Sequence, residues 1–103
     1  MNVYDNPEKF GLKIVGMVDR SDGNYQFDMF VVWKQGRRLC YGTDAGCSCP
    51  ENFEDRGIDD LTLAPRADVI KALKEWAADK DATRSKDDLD AAVAELCLKI
   101  RAA

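Results

Sequence analysis

Apolar positions recur with a period near two in the first half of this chain and near 3.6 in the second, so strands precede helices. From Gly11 the run Leu12-Lys13-Ile14-Val15-Gly16-Met17-Val18 alternates in part. It places Leu12, Ile14 and Val18 on one face and Lys13 on the other, as a half-buried strand requires. Residues 19–24 then supply the Asp, Ser, Asn and Gly of a hairpin turn. In the next strand Tyr25, Phe27, Met29, Val31 and Trp33 share one face, and Gln26, Asp28, Phe30, Val32 and Lys34 the other. Because Phe30 and Val32 make its second half apolar on both sides, this strand is predicted to lie in mid-sheet with cover on each face. A turn at Gln35-Gly36-Arg37 leads into residues 38–43 and completes a three-stranded antiparallel meander over 11–43.

Residues 44–64 show neither period and read as a long ordered loop, a kind of segment that is often functional. Pro65 suits the first turn of a helix, and Val69, Ile70, Leu73, Trp76 and Ala77 follow at helical spacing to about residue 79. Ser85 with Asp88 resembles a capping box that opens a second helix, whose stripe is Leu89, Ala92, Val93, Leu96 and Ile100 with Cys97 beside it. Asp87, Asp88 and Asp90 sit near its positive end, and Lys99 and Arg101 near its negative end. Residues 1–10, with Tyr4, Pro7 and Phe10, form an arm that packs by aromatic contacts. The fold class expected is α+β: the meander followed by two helices over 65–102, packed on one face of the sheet.

Composition narrows the function classes. A length of 103 residues with 46% hydrophobic and 33% charged side chains suits one folded domain. The longest apolar run, from Met29 to Trp33, falls far short of the roughly 20 residues a membrane span needs. With no basic-then-apolar leader at the N-terminus, the expectation is a cytoplasmic protein without membrane contact. The net charge is -4, and residues 51–103 carry all of it, with 13 acids against 9 bases. Nucleic-acid binding through a broad basic surface is therefore disfavoured.

The run Asp44-Ala45-Gly46-Cys47-Ser48-Cys49-Pro50, then Phe53-Glu54, together with Tyr4-Asp5-x-Pro7-Glu8 and Ser21-Asp22-Gly23, resembles a family of small uncharacterised proteins encoded by phages of actinobacteria. Gly-Cys-Ser-Cys-Pro is its most specific element, and Glu51-Asn52 departs from the Ser-Pro of that family. The resemblance implies a product made inside an infected bacterial cell and carries over no catalytic residue.

Histidine is absent, which removes the commonest general base and every Ser-His or Cys-His nucleophile. Cys40, Cys47, Cys49 and Cys97 supply enough sulfur for one tetrahedral zinc site, but C-x-C at 47–49 is not the C-x₂₋₄-C knuckle of structural zinc. Ordinary thiols, with no cofactor, are the expectation. Thiol redox at Cys47 and Cys49 is opposed by Asp44, Glu51 and Glu54, whose charges disfavour a thiolate. The acids Glu54, Asp55, Asp59 and Asp60 lack calcium-loop spacing and read as a solvated loop, and Gly42-x₃-Gly46 matches no phosphate-cradling motif. Trp33 and Trp76 fall on apolar faces and read as core.

The functional expectation is a non-enzymatic binding module that engages a host or phage protein through residues 44–60, with Cys47, Cys49, Pro50 and Phe53 as the contact residues. The alternatives are a zinc- or thiol-dependent protein built on Cys47 and Cys49, and a homodimeric structural or assembly component paired through an exposed edge strand or a helix face.

Overall fold

Among the described residues, four antiparallel strands form a sheet in the order β1-β2-β3-β4: β1 (Lys13–Asp19), β2 (Gln26–Gln35), β3 (Arg38–Cys47) and β4 (Thr62–Ala64). Two helices follow, α1 (Arg66–Ala77) and α2 (Lys86–Ala102). The computed structural model describes residues 2–21, 26–47, 57–78 and 84–103, the side chains of Gln26 and Cys47 excepted. The α+β class and the strand-then-helix order agree with the sequence pattern, and the sheet gains a fourth strand.

The interior position predicted for β2 is observed. It pairs with β1 on one side and, over all ten of its residues, with β3 on the other, from Gln26↔Cys47 to Gln35↔Arg38. Its Phe30 and Val32 face the helices, where Leu73, Leu96 and Ile100 are fully buried beside them. On the opposite face Met29, Val31 and Trp33 pack against Val3 of the N-terminal arm and against Leu12, with Tyr4, Phe10, Ile58 and Leu61 around them. A 3₁₀ turn at Pro7–Phe10 folds the arm onto this face. Trp33 anchors it by donating its Nε1–H to the Val3 carbonyl at 2.9 Å.

Two sequence expectations are corrected. Leu12, Ile14 and Val18 do not share a face, because β1 carries a bulge: Ile14 pairs with Trp33 and Gly16 with Val32, which leaves Val15 as an extra residue. An extra residue inverts the alternation beyond it. Leu12 and Ile14 therefore join the arm side and Val18 the helix side. Gly16 lies under α2, where an added Cβ would stand 2.7 Å from Cδ1 of Leu96. A side chain at this point of the bulge would keep the helix off the sheet.

Residues 44–64 are also not one loop. β3 continues to Cys47 because β2 offers a complete ladder of partners, and pairing outweighs the poor strand propensity of Asp44 and Gly46. After a 3₁₀ turn at Ile58–Asp60, β4 takes the open edge of β3 in the register Leu39↔Ala64, Cys40↔Leu63 and Tyr41↔Thr62. Pro65 then sits one position before the first helical residue rather than inside the helix, and its carbonyl accepts the N–H groups of Asp68 and Val69. Ser85 caps α2 as expected, its hydroxyl accepting from the Asp88 N–H at 3.3 Å.

Candidate functional site

The helices run antiparallel, and side-chain hydrogen bonds hold both ends of the pair. At one end Arg66, the first residue of α1, donates its Nε–H to the Ile100 carbonyl at 2.9 Å and a second N–H to the Ala103 carbonyl. A cation is thereby placed on the negative pole of α2. At the other end Arg20, just beyond β1, pairs with Asp28 through Nε at 2.5 Å and donates to the Trp76 carbonyl at 2.7 Å. Its guanidinium carbon also lies 4.9 Å from the centre of the Trp76 ring, within cation–π range. Asp19 braces the same corner by accepting from the N–H and hydroxyl of Ser21 and from the Asp28 N–H. Arg84 closes it, donating its backbone N–H to the Arg20 carbonyl and its guanidinium to the Asp19 carbonyl.

Between these two anchored ends the outer surfaces of α1 and α2 leave a groove of about 810 Å³. Its floor is apolar: Ala77, Leu89, Val93, Ala94 and Cys97, with Leu98 on the flank at 65% exposure. Alanines at 77, 78 and 94 leave the helix surfaces low there, and that creates the depth. Among the described residues the rim is cationic, carrying Lys74, Arg84, Lys86 and Arg101 against the carboxylate of Asp90. In a chain of net charge -4 this is a local inversion of sign. Sequence reasoning missed the site, since Lys74, Arg84 and Lys86 are unremarkable in sequence and Arg101 reads as a helix-end charge. Leu98, an apolar residue outside the core stripe of α2, was the one available signal.

The residues singled out in the sequence are placed unequally. The backbone of Cys47 ends β3 opposite Gln26, while its side chain, and all of Cys49, Pro50 and Phe53, lie outside the described residues. Cys40 and Cys97 are both buried but on opposite faces of the sheet, Cys40 under the arm and Cys97 under the helices. The sheet between them prevents the two from ligating one ion, which removes the four-sulfur zinc arrangement. Burial pushes the Cys40 thiol above its ordinary pKa, and its S–H points at the Trp33 carbonyl, 3.8 Å away. Trp33 is wholly buried, in agreement with a core role. Trp76 packs part-buried against Phe30, ring centres 5.5 Å apart, while Phe30 stacks on Tyr41 at 5.1 Å.

Among the described residues no helix is long and apolar enough to cross a membrane, and no three or more Cys, Asp or Glu gather as they would around a metal ion. No curated protein and no solved structure matches the chain. The chain belongs to the DUF7574 family, a domain of unknown function whose model matches residues 1–103.

Proposed function

We propose that this chain is a non-enzymatic protein-binding module whose α1–α2 groove receives an amphipathic helix with an acidic polar face. The carrying observation is the apolar floor under a rim that, among the described residues, has four cations and one acid, on a chain of net charge -4. An amphipathic helix lays its apolar stripe into such a groove, and complementary charge on the rim sets orientation and association rate. The phage-like resemblance of the Gly-Cys-Ser-Cys-Pro run supports a partner of host or phage origin inside an infected bacterial cell.

The test compares two designed peptides with the same leucine stripe, one with glutamates and one with lysines on the polar face, titrated into the ¹⁵N-labelled chain. The glutamate peptide is expected to shift amides of α1 near Ala77 and of α2 from Leu89 to Arg101. The lysine peptide should bind at least about tenfold more weakly, and Lys74→Glu with Arg101→Glu should reverse that preference. Equal affinity for both peptides, or no saturable shift in the groove, would sink the proposal. Phe53→Ala separates this reading from docking through residues 44–60: unchanged peptide affinity assigns binding to the groove, whereas its loss returns the contact to that segment.

A further inference from the structure

We propose that the cavity between the β2–β3 turn and the start of α1 is an anion site that takes a phosphate or carboxylate group. It measures about 430 Å³ and is lined by Arg37, Arg38 and Arg66, with Leu39, Leu63, Ala64 and Pro65 completing the wall. Among the described residues, three arginines and no Asp or Glu line it. Like charges gathered around one space repel, and an anion among them relieves that repulsion while accepting charge-assisted hydrogen bonds.

The three arginines are not equivalent. Arg66 is held in place because two of its N–H groups are spent on the carbonyls of Ile100 and Ala103, which leaves the remaining donors of its planar fork aimed elsewhere. Arg37 and Arg38 are exposed, and their side chains make no hydrogen bond or ion pair with any described residue. Their backbone is nonetheless fixed: Gly36, at φ 61°, forms the tight turn, and Arg38 pairs with Gln35 at the end of the ladder. The cavity thus has two arginines from the end of the β2–β3 hairpin and one from α1 that the end of α2 holds in place. Pro65 and Arg66 also bring the positive pole of α1 to this wall, and Asp68 of its first turn is not among the lining residues. Arginine forks match the planar geometry of carboxylate and phosphate oxygens, so these anions are the chemical class expected.

The full-length chain is titrated with sodium pyrophosphate and, separately, sodium citrate, against sodium chloride at matched ionic strength, and followed through backbone amides and arginine Nε–H signals. The expected result is saturable shifts at Arg38, Leu63 and Arg66 with at least one of the two anions. Arg37→Gln with Arg38→Gln should weaken binding by about tenfold or more, since hydrogen bonds to charged groups are the stronger class. This pair lies in an exposed turn, so an unchanged melting temperature shows the fold intact. Arg66 is left alone because it also caps α2. Binding of pyrophosphate alone names phosphate as the ligand group, binding of citrate alone names carboxylate, and either upholds the site. Shifts that follow ionic strength whatever the salt, or unchanged affinity in the double variant, overturn it.

Discussion

Replacing Gly16 by alanine tests how closely α2 is packed onto the bulged strand, and so what sets the position of one wall of the groove. The added Cβ would stand 2.7 Å from Leu96 Cδ1 and 3.3 Å from Lys99 Cδ. Non-bonded carbons settle at about 3.5–4.0 Å, so the leucine methyl must retreat by about 1 Å. Leu96 is 2% exposed and packed within the cluster that holds Val18, Val93 and Ile100, so retreat displaces other core side chains. Overpacking of this kind costs about 1–3 kcal/mol, while the lower chain entropy of unfolded alanine returns about 0.4–1 kcal/mol. At mid-range the net destabilisation is about 1.3 kcal/mol, at about 4–8 °C of melting temperature per kcal/mol for a domain near this size. Urea unfolding of Gly16→Ala, Leu96→Ala and the double variant measures it. Truncating Leu96 removes the atom the new Cβ meets, so the double variant should lose about 1 kcal/mol less than the sum of the singles. Additive losses, or an unchanged midpoint for Gly16→Ala alone, would refute the close-approach account.

Two further outcomes follow from the face opposite the helices. Trp33→Phe removes the donor that holds the Val3 carbonyl and leaves that buried oxygen without a partner, at about 1–3 kcal/mol; amide exchange in the arm, read at Asn6, should accelerate more than exchange in α2. Cys40, whose folded-state pKa is raised by burial, contributes stability that is intact below the unfolded thiol value of about 8.5 and is lost as pH rises through the folded value. Melting temperature under reducing conditions should therefore fall more steeply between neutral pH and pH 10 for the wild type than for Cys40→Val; identical slopes would contradict it.

Where one segment's own pattern decided the outcome, it was legible in advance. Phe30 and Val32 opposite Met29, Val31 and Trp33 leave β2 no wet face, and an interior strand is the only place for it. Ser85 and the stripe from Leu89 to Ile100 likewise specify where α2 begins and which side it buries. β4 was not legible, because Thr62-Leu63-Ala64 is too short to show a period and becomes a strand only when β3 offers an edge. Nor was the bulge at Val15, since Leu12, Ile14 and Val18 already satisfied a partly alternating reading of β1.

Local periodicity in the sequence alone determined the fold class, the strand-then-helix order, the two-faced β2 and the capped α2, because each needs only neighbours within a few residues. Tertiary structure decided the bulge, the fourth strand and both candidate sites. The groove joins Lys74 and Ala77 on one helix to Arg84, Val93, Leu98 and Arg101 beyond it, and the anion cavity joins Arg37 and Arg38 to Arg66. Charges distant in sequence carry no shared period, and only packing of α1 and α2 over the sheet brings them to one surface.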